Sequence, residues 1–327
     1  MDYKFKVYLD NDSEFFIWES AIDFYPTKRP VKKEFEISQS LLDLLYLNMD
    51  DYDDIFKSIG EDVRGLDLIG DEQPKEIPPT LRNNLDKLAK EHVFFQLICL
   101  DWLDRLDRYA KGELKNTRKN LYYKHLTHIP MQITTYQHGI RTIFSMILNA
   151  MSSDKRPIQE KMASLYENEY DHRNSKFDFS QISTSFERVD NTTFTEVLYP
   201  EIIGDIIDFF LREIIKRELT FKQCRSCGKY FPATTAHGNS EYCNRLFQDT
   251  GKTCKEIGSV KVYKAKVESN PAIQAYNRAY KTHFARIKYK KMTKEHFQVW
   301  AEEARKLRDK VLAGEMDLTE YEEWLKW

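Results

Sequence analysis

Four cysteines in the C-terminal third of the chain constrain its fold more than any other feature. Cys224 and Cys227 form a Cys-x-x-Cys pair, and Cys243 and Cys254 follow within 30 residues. Two thiolates from one tight turn and two from a second element can surround a single zinc ion at about 2.3 Å each. Gly228, directly after the pair, permits the positive φ that turns the backbone beneath a metal. The pattern therefore predicts a small zinc-binding module held by all four thiolates.

The spacing leaves two candidates for the fourth ligand of this site. Ten residues separate Cys243 from Cys254, which is longer than the two-residue or four-residue spacing that usually completes such a site. His237 is the alternative ligand, because a neutral imidazole also binds zinc. The alternative to a ligand role for His237 is that it is a surface histidine in a loop.

Zinc in this module is expected to be structural (Zn²⁺ as a folding cofactor) rather than catalytic. Four thiolates close the coordination shell and leave no position for a substrate or water. Redox-active thiols and a catalytic metal are the weaker alternatives. The fifth cysteine, Cys99, lies far upstream in an apolar run and is not expected to be a ligand.

Length and composition favour a helical protein of two parts. A chain of 327 residues with 41% hydrophobic content can hold two domains, or one large core with an appended module. Glycine (11) and proline (10) are scarce, which disfavours a turn-rich β-sandwich. No apolar stretch reaches the ~20 residues that cross a bilayer, and the N-terminus lacks a signal-peptide pattern. With an odd number of cysteines, these features predict a cytoplasmic protein without a membrane partner.

The net charge of the chain is only −2, but acidic and basic residues are concentrated in different parts of the sequence. Residues 1–80 carry 19 acidic and 9 basic side chains, whereas residues 216–310 carry 22 basic and 9 acidic ones. The last 17 residues return to a net charge of −4. A basic C-terminal region is typical of a nucleic-acid face. Equally, the acidic and basic parts of the chain are able to dock on one another.

Apolar periodicity predicts helices with two small hairpins. Alternating apolar residues over 3–18 and 176–199 predict short β-hairpins. The leucine spacing over 80–110 predicts one long amphipathic helix, and 202–215 predicts an apolar helix that leads towards Cys224.

We therefore expect a mainly α fold with small β-hairpins. A helical domain is predicted over 1–217, with a sub-boundary at the proline-containing segment 71–80. A treble-clef-like zinc module with C-terminal helices is predicted over 218–327. Among these helices, Thr293 and Gly314 are expected to begin and end one, and Thr319-x-x-Glu is a capping-box signature for the last.

The C-terminal part resembles an uncharacterised group of bacterial and mobile-element or phage proteins. The resemblance is carried by Cys224-x-x-Cys-Gly-Lys-Tyr-Phe, Tyr242-Cys-Asn-Arg and Gly251-Lys-Thr-Cys-Lys-Glu-Ile-Gly, and covers roughly 200–327. A looser similarity is to CGNR-type zinc fingers, in which a helical domain leads into a finger expected to bind DNA. Cys243-Asn-Arg departs from the Cys-Gly-Asn-Arg order of that group. The looser resemblance implies DNA binding, and the closer one implies no particular activity.

Nucleic-acid association or regulation is the function that the basic region favours. DNA or RNA phosphates would meet lysines and arginines near the module and on the helix that follows it. The competing interpretation is that these charges solvate one helix face while Tyr276, Tyr280 and Phe284 form a core. The candidate phosphate-binding residues are Arg225, Lys229, Arg245, Lys261, Lys264, Lys266, Arg278, Lys281, Arg286, Lys288, Lys290 and Lys291.

Two alternatives compete with nucleic-acid binding. The acidic N-terminal region indicates an adaptor or inhibitor that meets another protein. Arg118-x6-His125 and Arg278-x4-His283 match the loose Arg-x(4–6)-His spacing of HEPN-type ribonucleases, although two matches in one basic chain show how common this pattern is. Because no glycine-rich phosphate loop, nucleophile elbow or HExxH motif is present, the sequence favours a protein that is not an enzyme.

Overall fold

The computed structural model describes residues 1–66, 76–167, 176–233, 240–258, 260 and 270–327. The chain forms two compact units. The first comprises Met1–Gln223 and Lys229–Ser240, and the second comprises Cys224–Gly228 and Glu241–Trp327. The first half of the predicted sub-boundary at 71–80 lies outside the described residues, and its end, from Pro79, begins a helix. No helix in the described part of the chain is both long enough and apolar enough to cross a membrane.

A five-stranded antiparallel sheet is the centre of the first unit. Its strand order is β3-β2-β1-β5-β4. The first and last hairpins join where Val7 of β1 lies opposite Leu198 of β5 and Tyr8 lies opposite Val197. The strands are β1 (Tyr3–Asp10), β2 (Ser13–Ser20), β3 (Val31–Glu36), β4 (Thr184–Arg188) and β5 (Phe194–Leu198).

Helices fill the chain between these two hairpins and follow the second one. The predicted single helix over 80–110 is in fact two helices, because His92 is extended with φ −147° and interrupts it. A 3₁₀ helix spans Met49–Tyr52. The α-helices are α1 (Gln39–Leu45), α2 (Asp53–Gly65), α3 (Pro79–Glu91), α4 (Phe95–Ala110), α5 (Thr117–Asn120), α6 (Lys124–Thr127), α7 (Ile129–Met146), α8 (Ile158–Glu167) and α9 (Ile203–Lys216).

The prediction of a mainly α fold is wrong. Among the described residues about 53% are helical and 14% are in strands, and the sheet makes the class mixed α/β. Both predicted hairpins form, but they belong to one sheet rather than to separate small elements. The third strand, β3, escaped prediction because it lies at an edge and its residues are mostly charged and exposed.

Aromatic side chains join this sheet to the helices of the first unit. Phe16 of β2 is completely buried. Its ring centroid lies 5.8 Å from that of Phe94, just before α4, and 5.7 Å from that of Phe210 in α9. Phe35 of β3 meets it edge-on at 5.6 Å. The sheet and two helices therefore share one aromatic core.

The second unit contains three helices in its C-terminal part: α10 (Pro271–Lys288), α11 (Lys294–Ala313) and α12 (Leu318–Trp324). Thr293 caps α11 by accepting from the His296 N–H, and Gly314 ends it with φ 77°, as predicted. The predicted capping box at Thr319 is wrong, because Asp317 is the N-cap and accepts from the Thr319 N–H. Tyr276, Phe297, Trp300 and Tyr321 are buried among these helices.

A buried carboxyl group lies at the start of α1 in the first unit. Glu14 accepts a hydrogen bond from the Ser40 N–H at 3.1 Å, and its other oxygen has no partner among the described residues. His92 accepts from the Phe94 N–H through Nδ1 and therefore donates to the Ser40 carbonyl through Nε2. Burial raises the pKa of Glu14 to about 7 and lowers the pKa of His92 to about 4.

Glu14→Gln is expected to stabilise the first unit at pH 8 but not at pH 4. Between pH 4.5 and about 7 the folded state binds the Glu14 proton and the unfolded state does not, so the free energy of unfolding falls as pH rises. At about 1.4 kcal/mol per pKa unit, the variant gains about 3 kcal/mol over the wild type by pH 8.

Urea unfolding of both proteins at pH 4, 6 and 8 measures this difference. Because the folded state keeps His92 neutral, the free energy of unfolding falls as pH falls from 6.5 towards 4, which is opposite in sign to the Glu14 effect. This contribution of His92 is the same in both proteins and cancels when their free energies of unfolding are compared. A difference that stays constant across these pH values would contradict the assignment to Glu14.

Candidate metal centre

The four cysteines predicted as ligands come together in the second unit. Their sulfur atoms all lie within 4.8 Å of one another, and the Sγ atoms of Cys227 and Cys243 are 3.7 Å apart. A tetrahedral zinc ion with Zn–S bonds of about 2.3 Å separates its sulfurs by about 3.8 Å. Cys224, Cys243 and Cys254 are buried, and Cys227 is half-buried. The cluster is therefore compatible with a metal ion enclosed by four sulfurs.

The first two cysteines lie on a turn between two short strands, β6 (Phe221–Gln223) and β7 (Tyr230–Pro232). Gly228 has φ 72° and donates its N–H to the Cys224 carbonyl at 2.8 Å. The positive φ predicted from the sequence is confirmed. A side chain at this position would be strained by the backbone conformation whatever the space around it.

The segment between Cys243 and Cys254 is a closed loop, which explains the unusual ten-residue gap. The Cys254 N–H donates to the Arg245 carbonyl at 2.9 Å, and the Lys255 N–H donates to the Cys243 carbonyl at 3.0 Å. Gly251, with φ 64°, lies where the loop reverses. The extra residues therefore extend outward from a hydrogen-bonded neck, and the two cysteines meet as they would with a shorter spacing.

Cys254 is the first residue of the short helical segment 254–258. Thr253 and Glu256 form a capping box: the Thr253 N–H donates to Glu256 Oε2 at 2.7 Å, and the Glu256 N–H donates to Thr253 Oγ1 at 3.2 Å. The box fixes the start of this segment at Cys254. The Thr-x-x-Glu signal at 253–256 was present in the sequence and its meaning for Cys254 was missed. His237, the alternative ligand, lies outside the described residues.

The sulfurs differ in how readily they ionise. Burial opposes ionisation of Cys224, but N–H groups of Cys243, Cys227 and Ser226 donate to its sulfur and lower its pKa to about 7. Burial, with neighbouring sulfurs, raises the pKa of Cys243 and of Cys254. Cys224 thus ionises more readily than Cys243 and Cys254, and a bound cation would displace the protons of those two sulfurs.

Packing around the cluster also depends on Gly258. A Cβ atom there would lie 2.4 Å from ring carbons of Tyr242, the residue before Cys243. The tyrosine ring therefore lies directly against the backbone of the helical segment. The guanidinium of Arg225, inside the Cys-x-x-Cys turn, forms a salt bridge with the Glu241 carboxylate at 2.8 Å. The backbone N–H of Arg225 also donates to the backbone carbonyl of Glu241. These contacts tie the two halves of the cysteine cluster together.

Several of the predicted phosphate-binding residues have partners within the protein. Arg278 pairs with Glu322 at 3.2 Å. Arg286 donates to His283, and Lys229 lies 5.1 Å above the Tyr46 ring. Arg225 pairs with Glu241 as described, and Arg245 also has an interaction partner. The predictions for Lys261, Lys264 and Lys266 fall outside the described residues.

The remaining candidates lie together at the end of α10 and in the loop after it. Lys281, Lys288, Lys290 and Lys291 are all exposed. Phe284, which the competing interpretation places in a core, is 58% exposed and lies on the same helix between Lys281 and Lys288. Tyr276 is buried, as the core interpretation expects.

The two Arg-x-His matches occupy different environments. His283 is buried, stacks on Trp300 with ring centroids 4.0 Å apart, and its Nε2 lies 3.2 Å from the Leu325 carbonyl. It serves the core of the second unit. His125 is exposed on α6, and the arginine whose charge lowers its pKa, after burial, is Arg105 rather than Arg118.

Comparisons with known proteins find a family to which the C-terminal part of the chain is similar, and that family has no assigned activity. Residues 180–326 match a family of unknown function, DUF6076. No curated protein and no solved structure matches the chain. The family match begins just before β4 and includes the cysteine cluster and α10, α11 and α12. The C-terminal part of this chain is therefore similar to an uncharacterised protein family, DUF6076.

Proposed function

We propose that this protein is a nucleic-acid-binding protein whose second unit is stabilised by a structural zinc ion. The observation that carries the proposal is the exposed row Lys281, Phe284 and Lys288 on one side of α10. Positions separated by three and four residues lie on the same helix face. An aromatic ring between two ammonium groups is the arrangement with which proteins bind a base and its neighbouring phosphates.

The ring of Phe284 is supported from beneath. It lies nearly parallel to the Tyr280 ring at 6° and 6.4 Å, and Phe297 of α11 meets it edge-on at 5.6 Å. A ring held in this way loses little conformational freedom when a base stacks on it. Because every base has a π-face, such stacking tolerates any sequence. These features favour single-stranded over duplex nucleic acid.

The turn after α10 adds further charge beside this row. The Lys291 N–H donates to the Arg286 carbonyl at 2.8 Å, and Lys290 has φ 55°. This left-handed turn closes the helix and leaves Tyr289 69% exposed, next to Lys290 and Lys291. Four exposed lysines and two exposed aromatic rings thus lie within eleven residues, 281–291.

Zinc is the metal that we assign to the cysteine cluster. Four cysteine sulfurs that lie within 4.8 Å of one another suit zinc, and as four ligands they would leave no open position for chemistry. The metal would contribute to folding, and the nucleic-acid face would be a separate surface of the same unit. In this proposal the protein is not an enzyme.

A fluorescence-anisotropy titration with labelled oligo(dT), RNA of the same length and duplex DNA tests the binding proposal. We expect Phe284→Ala to weaken single-strand binding by about 1–3 kcal/mol, with little change in the salt slope. The double variant Lys281→Gln/Lys288→Gln should instead lower that slope by about 1.4, because each phosphate contact contributes about 0.7.

The matched control is Phe186→Ala, which removes a phenylalanine of the first unit that is even more exposed than Phe284 and should leave binding unchanged. Equal loss in the two phenylalanine variants would mean that Phe284 has no special role. If the wild type shows no salt-sensitive binding, the proposal fails. The protein-interaction hypothesis for the acidic N-terminal region then becomes the leading one.

A further inference from the structure

A cleft of about 340 Å³ lies within the first unit, and none of the four cluster cysteines lines it. It is formed by α4, α6, α7 and the first residues of α9, so it depends on the packing of one unit alone. Its volume is at the lower end of the range for small-molecule sites. Leucine and isoleucine side chains form nearly half of its lining, including Leu97, Ile98, Ile133 and Ile203.

The arginine in this cleft is already neutralised. Arg105 pairs with Asp101 through Nε at 2.9 Å and through Nη2 at 3.2 Å, and its Nη1 donates to the Asn120 carbonyl at 3.1 Å. Its three nitrogens are therefore all engaged with partners in the protein. An incoming phosphate or carboxylate would have to compete with a bidentate carboxylate for this guanidinium.

One carboxylate in the cleft has no cation beside it. Glu201, just before α9, is exposed, and no described residue forms a salt bridge with it. The only other ionisable base in the lining is His125, whose pKa is lowered by burial and by the charge of Arg105. The charges of Asp101 and Arg105 neutralise one another, so Glu201 gives the cleft a net charge of about −1 beside its aliphatic side chains.

We propose that this cleft binds a small organic cation, an amine carried on a hydrocarbon body. The ammonium group would pair with Glu201, and the body would lie against the aliphatic walls of α4 and α7. An anion has no free cation to meet there, and a neutral ligand would gain no charge pairing with the exposed Glu201. This site is independent of the proposed nucleic-acid face, which belongs to the second unit.

Equilibrium dialysis of the full-length protein at pH 7.5 tests the proposal with three ligands of one shape: 3-phenylpropylamine, 3-phenylpropan-1-ol and 3-phenylpropanoate. We expect the amine to bind about two- to fivefold more tightly than the alcohol, a difference of about 0.4–1 kcal/mol because Glu201 is exposed to solvent. The acid should bind more weakly than both. Equal affinities for the amine and the acid would overturn the proposal.

Two variants locate the binding. Glu201→Gln should remove the preference for the amine while the alcohol still binds, whereas the control Glu36→Gln, an exposed carboxylate on β3, should change nothing. Ile98→Trp should fill the cleft and abolish binding of both ligands, with an unchanged urea midpoint as proof of folding. If Ile98→Trp does not fold, Glu201→Gln decides alone. Amine binding that survives Glu201→Gln with its preference intact would show that the cation is bound elsewhere.

Discussion

Cys254→Ser is expected to release the metal and unfold the segment between Cys243 and Gly258. Structural zinc contributes on the order of 10–16 kcal/mol to small modules of this kind, because the site does not exist in the unfolded chain. Cys254 is completely buried and begins the helical segment that packs on Tyr242, so its sulfur links the metal to that packing. Elemental analysis and limited proteolysis measure the two effects, loss of zinc and cleavage within 240–258.

The chain supplies a matched control for this variant. Cys99 is equally buried, in α4, but lies outside the cluster. Cys99→Ala should keep about one zinc per chain and cost about 1–2 kcal/mol of stability, since it removes only a small buried side chain. His237→Ala should also keep the metal. Zinc retained by Cys254→Ser but lost in His237→Ala would reverse the ligand assignment.

Phe16→Ala is expected to destabilise the first unit by about 3–5 kcal/mol, the usual cost of removing a buried phenylalanine from a packed core. The ring contacts both neighbouring strands and two helices, so the cavity would lie where the sheet and helices join. Surrounding rings on four different elements cannot all move to fill it. Urea unfolding followed by far-ultraviolet circular dichroism measures the change.

Phe186→Ala is the control for this prediction as well. Phe186 belongs to the same sheet, on the edge strand β4, but is 70% exposed. Its loss should change the free energy of unfolding by less than about 0.5 kcal/mol. Similar effects for the two variants would mean that the sheet is not packed on the helices as described.

Local sequence signals predicted the individual elements well. The two hairpins, the apolar helix α9, the caps of α11 and the turn at Gly228 each depend on residues close together in the chain. Capping, periodicity and turn chemistry act over a few residues, so they can be inferred without the fold.

The sheet could not be predicted in the same way. The central pairing of the sheet joins β1 at Val7 and Tyr8 to β5 at Leu198 and Val197. The alternation of apolar residues within each strand does not indicate which other strand it pairs with. The break of the helix at His92 has a similar origin. The leucine spacing continues past His92, but its side chain is held in the core by the Ser40 carbonyl, a contact distant in sequence.

The two candidate sites differ in the same respect. The spacing of the four cysteines predicts a metal site from the sequence alone, because few other roles fit that spacing. Only the ten-residue gap before Cys254 required the structure, which shows that it is a closed loop. The cleft was invisible in the sequence. Neither Arg105 nor Glu201 belongs to a recognisable sequence motif. They line the same cleft only because the fold brings α4 next to the start of α9.

Zinc K-edge X-ray absorption on the purified protein tests the central claim most directly. The closed cluster predicts about one zinc per chain with four sulfur neighbours at about 2.3 Å and no nitrogen or oxygen in the first coordination shell. A shell that contains a nitrogen or oxygen ligand at about 2.0–2.1 Å would contradict the assignment of Cys254. A folded protein without bound zinc would contradict the structural role of the metal altogether.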